Sequence, residues 1–253
     1  MTKQHKCALA LAVLLVCMIG VFSACKPPKT NLEQVASAVS TKQVGLWTGE
    51  SQEMDVVLTA MQEEEIFLTD GKVGQQVSVT QLSVRPKQVA MLDKSLSYVI
   101  TGEKGELRGV MEKNRLGVTF VAKIEGLDAI GKPISVTIDD SQTQTQIEWT
   151  DRMAGMLDAD AALEIAYNTF AEHIDPLLEA GEWNREGYIR MIHDVTQQES
   201  GYYWYVSFIA DRDDYWAVLI ASDSGEVLSK RMHGPQGESQ PTVTTPETPP
   251  IGQ

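Results

Sequence analysis

The sequence predicts an α+β protein in which an all-β region comes first and a helix packed on an antiparallel sheet follows. Between residues 44 and 150, apolar and polar residues alternate in several short runs, which is the period of half-buried strands. From residue 158 the apolar residues recur at three or four positions, which indicates one amphipathic helix. Alternation then returns and continues to residue 233.

The all-β region is built from short alternating runs with turn-forming residues between them. The alternating apolar residues are Met54, Val56 and Leu58, then Leu96, Tyr98 and Ile100, then Val118, Phe120 and Ala122, and finally Ile134, Val136 and Ile138. The turns are expected at residues 69–71, 102–105, 113–115 and 131–133. About seven such strands are typical of an antiparallel sandwich of the immunoglobulin-like type. A small barrel is the alternative, because the Cys and Trp hallmarks of true immunoglobulin domains are absent.

The second region begins with a helix that Asp158 is placed to cap. Its apolar stripe consists of Leu163, Ala166, Phe170 and Ile174, and we expect it to end near Asp175-Pro176, because proline interrupts a helix. Strands are then expected at residues 188–193, 202–210, 215–221 and 226–232, with a turn at 223–225. The result is one helix on an antiparallel sheet.

Three motifs in this second region resemble those of a known family. They are the Ala-rich helix opening at residues 161–166, the spacings Trp204-x-Val206-x-Phe208 and Trp216-x-Val218-x-Ile220, and the closing run at residues 224–228. With these motifs, residues 155–233 resemble a PepSY-type domain. PepSY domains occur in propeptides of secreted thermolysin-type peptidases and in many envelope proteins, where they are thought to bind or restrain partner proteins. The resemblance therefore implies a binding or inhibitory module, which could restrain a partner protein or peptidase.

The first 25 residues have the layout of an export signal. Lys3 and Lys6 precede an uncharged apolar run that is shorter than the roughly 20 residues of a membrane-spanning helix, and Ser23-Ala24-Cys25 follows. This arrangement resembles the lipobox of bacterial lipoproteins, in which the cysteine is acylated on sulfur before the signal peptide is cut. The resemblance implies a signal peptide over residues 1–24, lipidation at Cys25 and an extracytoplasmic protein anchored in the outer leaflet of the cell membrane. A retained transmembrane anchor and ordinary cleavage after Ser23 are the alternatives.

The two ends of the exported chain have the composition of connecting segments. Residues 25–43 are small and polar, which favours a tether, and residues 234–253 hold five prolines, which favour a disordered tail. The predicted organisation is therefore a signal peptide (1–24), a tether (25–43), a β-sandwich domain (44–150), a PepSY-like domain (155–233) and a tail (234–253).

Charge and residue types exclude several function classes. The net charge of −14 argues against nucleic acid as a partner, because phosphates are bound by clusters of Lys and Arg. After the signal peptide, Cys25 is the one cysteine left, which excludes an internal disulfide and a cysteine-based metal site.

Candidate catalytic groups are scattered along the sequence. The three histidines of the exported chain, His173, His193 and His233, lack metalloprotease spacing, and the acidic residues at 139–140 and 211–214 lack calcium-loop spacing and are expected in solvated turns. We expect no enzyme, no metal and no cofactor. An envelope enzyme with an unrecognised carboxylate site and a purely structural surface lipoprotein are the alternatives.

Aromatic residues are concentrated in the strands predicted at 202–210 and 215–221. Because side chains alternate, Trp204, Phe208 and Trp216 are expected to face the helix. The opposite face receives Tyr203, Tyr205, Ile209, Tyr215 and Leu219. If this face is exposed, it is a recognition patch, and the alternative is that it packs on the first domain. We expect these five residues to bind a protein partner in the cell envelope, while acylated Cys25 contacts membrane lipid.

Overall fold

The computed structural model describes residues 29–66, 71–193 and 201–234. Strands make up 52% and helices 19% of these residues, so the protein is mostly β with few helices, and its two packed sheets are consistent with a sandwich. The expected signal peptide with Cys25, the tail from residue 235 and part of the turn at 69–71 lie outside the described residues.

Fourteen strands of the described chain form two sheets. The strands are β1 Val39–Glu50, β2 Met54–Glu64, β3 Gln76–Pro86, β4 Ser97–Gly102, β5 Gly105–Val110, β6 Glu112–Lys113, β7 Phe120–Ile124, β8 Pro133–Asp139, β9 Gln144–Glu148, β10 Thr150–Asp151, β11 Glu186–His193, β12 Tyr202–Asp211, β13 Asp214–Ala221 and β14 Val227–His233. The large sheet has the order β14-β13-β12-β11-β1-β2-β3-β7-β6, with β10 paired to β1, and the small sheet has the order β5-β4-β8-β9. The helices are α1 Asn31–Ala36, α2 Leu127–Ile130 and α3 Ala159–Ala180, and a 3-10 helix spans Val89–Asp93.

The first hydrophobic core lies between the small sheet and strands β1, β2, β3 and β7. Its fully buried residues include Val56, Leu58, Leu82, Ile100 and Val136. The predicted alternation is therefore confirmed for β2 and β4, and in β8 for Val136 and Ile138.

Two residues expected in this alternation are instead exposed. Val118 is 52% exposed because it lies in the turn before β7 rather than in the strand. Ile134 is 46% exposed, and it lies where the pairing of β4 with β8 shifts register between Thr101 and Gly102. A bulge of this kind changes which residues face the core.

The second core lies between α3 and strands β11 to β14. Trp204 and Trp216 are fully buried there, and the Trp204 indole Nε1 donates to the carbonyl oxygen of Leu157 at 2.9 Å. Phe170 of α3 contacts Phe208 edge to face, with ring centroids 6.3 Å apart. The prediction that these aromatic residues face the helix is confirmed.

Helix α3 begins where the sequence predicts and ends later. The Asp158 carboxylate accepts a hydrogen bond from the Ala161 amide at 2.8 Å, which caps the first turn. The end expected near Pro176 is wrong, because the helix continues to Ala180 and stops at Gly181, whose φ of 70° closes it. Leu177 and Leu178 pack against the second core, which stabilises the turn after the proline.

The segment expected as a tether over residues 25–43 is structured from residue 31. Thr30 and Glu33 form a capping box for α1, and β1 starts at Val39. Val35 and Val39 are buried in the core beneath α3. The small polar residues of this segment fit there because they lie at the junction of the two parts of the large sheet, where Ser40 and Thr41 are buried.

Strand β1 joins the two parts of the fold. It pairs with β2 in antiparallel fashion and with β11 in parallel fashion, from Val39 opposite Gly187 to Lys42 opposite Ile189. Thr41 is paired with both Tyr188 and Glu63, so these three side chains share one face of the sheet. Farther along β1, Leu46 belongs to the second core, whereas its neighbour Trp47 packs against the first core. Adjacent strand residues point to opposite faces, so at this point β1 turns one face to each core.

Candidate functional site

The five residues of the predicted binding face lie together on the side of the large sheet opposite α3. Tyr203, Tyr205, Ile209, Tyr215 and Leu219 are each half-buried. Apart from their neighbouring strands, the element that β12 and β13 contact extensively within the described residues is α3. This helix lies on the other side of the sheet from the five residues. We name the surface formed by these five residues and their same-face neighbours on β11 and β14 the tyrosine face.

The strand register arranges the tyrosine face in rows that cross the strands. One row places Arg190, Tyr205, Leu219 and Ser229 side by side, and another places Ile209, Tyr215 and His233 side by side. The row between them consists of Tyr188, Ser207, Ala217 and Arg231. Ser207 and Ala217 are small and almost fully buried, so the middle row is lower than its two neighbours.

This difference in side-chain size produces a groove of about 280 Å³. Tyr205 and Leu219 line one side of the groove, Tyr215 lines the other, and Ala217 lies at its floor. Arg231 lines the end at β14. A groove with aromatic walls, a small apolar floor and a charged end can hold an apolar side chain and a polar group of a partner.

Several residues of this face were missed by the sequence analysis. Tyr188, Arg190 and Ile192 of β11 and Ser229 and Arg231 of β14 extend it at both sides. The alternation of Tyr188, Arg190 and Ile192 could have identified the first three. Ser229 and Arg231 join the face because β14 pairs with β13, and the alternation within a single strand does not predict which strands are neighbours.

Cationic side chains flank the tyrosine rings. The Arg190 guanidinium carbon lies 5.0 Å from the centroid of the Tyr188 ring, and that of Arg231 lies 5.9 Å from the Tyr215 centroid, which are cation–π distances. Burial raises the pKa of the Tyr188 hydroxyl, and the charges of Glu63 and Tyr205 raise it further, against the opposing effect of Arg190.

A second depression of about 460 Å³ lies where β11 diverges from β1. The first half of β1 pairs with β11, whereas Trp47 and Thr48 pair with β10, so the end of β11 leaves the sheet edge. His193 and Tyr202 stack there with ring centroids 4.8 Å apart, and the Arg152 guanidinium carbon lies 5.6 Å from the Tyr202 ring. This cleft joins residues that are far apart in the sequence.

Carboxylates of the predicted acidic turns have structural partners. The Asp214 carboxylate accepts two hydrogen bonds from the Arg185 guanidinium at 2.8 and 2.9 Å, and Arg185 stacks on Trp216 at 4.1 Å. Asp140 pairs with Lys94. Among the described residues, no three His, Cys, Asp or Glu side chains are grouped to hold a metal ion.

Among the residues that the structure describes, Glu33, Asp55 and Asp140 have a pKa below the ordinary value, and each has a local cause. Backbone and side-chain hydrogen bonds from Thr30 lower the pKa of Glu33, and hydrogen bonds from Lys94 and two backbone amides lower that of Asp140. Burial raises the pKa of the Asp55 carboxyl. The hydrogen bonds and positive charges of Arg85 and Lys87 lower it by more, so that this pKa lies below the ordinary value.

Comparison of the chain with models of protein families, with curated proteins and with solved structures gave no match. Within the described residues, no helix has the length and apolar character needed to cross a membrane.

Proposed function

We propose that this chain is a membrane-anchored extracytoplasmic lipoprotein whose folded part is a non-catalytic binding or regulatory module. In this proposal Cys25 carries the lipid, the N-terminal immunoglobulin-like sandwich is a spacer or second binding module, and the PepSY-like region contacts a protein partner in the cell envelope. That contact could restrain the partner, which could be a peptidase.

The observation that carries the proposal is the half-buried tyrosine face. Tyr203, Tyr205 and Tyr215 lie on one surface with Ile209 and Leu219, on the side of β12 and β13 that α3 leaves open. Tyrosine is enriched at binding hot spots, because it offers a large apolar ring with a polar tip and loses little conformational entropy. The groove between the rows adds a concave feature that a convex partner could fill.

The alternative of an envelope enzyme has less support. An active carboxylate pair would be expected in a pocket, with the pKa of one group raised. Glu33, Asp55 and Asp140 have a lowered pKa instead, and they belong to a helix cap, a surface ion pair and a turn.

The contact can be tested by removing two tyrosines from the face. We expect Tyr203→Ala combined with Tyr205→Ala to weaken binding of the envelope partner about 30-fold, which corresponds to about 2 kcal/mol at a hot spot. Proteins retained from the native envelope by residues 26–253 would be identified by mass spectrometry, and their affinity for both forms measured. Trp204→Ala is expected to unfold the domain, because Trp204 is fully buried in the second core.

Tyr167→Ala provides a matched control, because Tyr167 belongs to α3 and hydrogen-bonds Asp175 on the other side of the sheet. It should leave partner binding unchanged. If the double tyrosine variant binds as well as the wild type, or melts as early as Trp204→Ala, the tyrosine face is not the contact surface.

The anchor is tested separately by metabolic labelling with palmitate. We expect label in the wild-type chain and none in Cys25→Ser, because the thiol of Cys25 is the acylation site that the lipobox resemblance implies. Equal labelling of the two chains would exclude lipidation at this residue. Acylation by two or more chains would hold the protein stably at the membrane, which one chain does not.

A further inference from the structure

We infer that the segment recognised by the tyrosine face is an acidic, extended stretch of a partner that places one apolar side chain in the groove. This inference rests on the proposed function, because it names the chemistry of the partner at the same surface.

The shape of the groove favours an apolar side chain of the partner. Ala217 is 6% exposed at the floor, and the rings of Tyr205 and Tyr215 stand on opposite sides of it. A volume of about 280 Å³ is too small for a folded element and suits a side chain of an extended segment. The rows cross the strands, so the segment would also cross them, from β11 towards β14.

The acidic character follows from two cationic side chains, one at the end of the middle row and one at the end of the neighbouring row. Arg231 lies at the β14 end and lines the groove, and Arg190 lies at the β11 end beside Tyr205. Both side chains are exposed, and neither forms an ion pair with a described residue. Arg185, in contrast, is buried and held by Asp214.

The local charge of β14 is the opposite of the charge of the chain. The net charge of the chain is −14, yet the seven residues of β14 include Lys230 and Arg231 and no acidic residue. The nearest carboxylate on the neighbouring strand, Asp214, is neutralised by Arg185. An arginine guanidinium binds a carboxylate through two parallel hydrogen bonds, so the partner group that fits Arg231 and Arg190 is an Asp or Glu side chain.

The test uses two labelled ten-residue peptides, one with Leu among Asp and Glu residues and one with Leu among Lys and Arg residues. Fluorescence anisotropy would measure their binding to residues 26–253 at low and at moderate salt. We expect the acidic peptide to bind at least 10-fold more tightly than the basic peptide, with an affinity that falls as salt rises. Arg231→Glu should weaken binding of the acidic peptide about 10-fold, and Arg231→Gln should weaken it less.

Arg115→Glu is the matched control, because it makes the same change of charge in the turn between β6 and β7, outside the tyrosine face. Equal losses for Arg115→Glu and Arg231→Glu would overturn the inference, since net charge alone would explain the binding. Equal affinity for the two peptides would also overturn it. If that result is found while the double tyrosine variant still loses the envelope partner, the proposed function stands and the acidic ligand does not.

Discussion

Asp140 and Asp214 stand in acidic turns that the sequence predicts as solvated, and both have partners that hold the chain in place. The Asp140 side chain is 8% exposed, and its carboxylate accepts hydrogen bonds from the amides of Gln142 and Thr143 and pairs with Lys94. Asp214 holds the buried Arg185. Sequence spacing excluded a calcium loop at these positions, but it could not identify partners that lie 46 and 29 residues away.

The pairing of Asp140 predicts a pH-dependent stability. Its hydrogen bonds lower its pKa from an ordinary value of 3.8 to about 2, so the folded protein binds this proton less readily than the unfolded chain. The stabilising effect is therefore complete above about pH 4 and is lost as the pH falls towards 2. We expect Asp140→Asn to lower the free energy of unfolding by about 1 kcal/mol at pH 7, as measured by urea titration, and to differ little from the wild type near pH 2.

Asp223→Asn makes the same change of charge at an exposed turn and should leave this pH dependence unaltered. A constant difference between Asp140→Asn and the wild type from pH 7 to pH 2 would contradict the role of the carboxylate charge.

At the level of elements, the sequence predicts those parts whose pattern is local. The alternation of Trp204, Val206 and Phe208 identified β12 and the residues it buries, because period two is a property of the strand itself. The end of α3 was misplaced because Pro176 breaks the local pattern, whereas packing of the following leucines on the core extends the helix. Tertiary packing outweighed propensity at that position.

The start of the fold and the width of the tyrosine face depend on long-range pairing. Residues 31–43 have a composition typical of a tether, but β1 gains its parallel partner β11 from a segment nearly 150 residues later. The five tyrosine-face residues could be named from alternation alone. The groove and its flanking Arg231 could not, because they require the order and register of β11 to β14.

For the whole molecule, β1 links two cores that the sequence assigns to two domains. The small sheet covers one half of the large sheet and α3 covers the other. The core beneath α3 includes Val35, Val39 and Leu46, which belong to α1 and β1. A boundary between residues 150 and 155 would therefore separate β11 from its neighbour in the sheet and remove part of the second core.

This sharing predicts that residues 155–233 alone are much less stable than residues 29–234. The fragment lacks Val35, Val39 and Leu46, and each buried aliphatic side chain contributes about 1.5–3 kcal/mol. Their combined loss is comparable with the roughly 5–15 kcal/mol that stabilises a typical domain. Removal of β1 also leaves the edge of β11 unpaired.

We expect the fragment of residues 155–233 to show weak helical circular dichroism at 25 °C, and a peptide of residues 29–50 to restore the signal when added. A fragment that unfolds in urea as cooperatively and at the same midpoint as the longer chain would show instead that residues 155–233 form an independent domain.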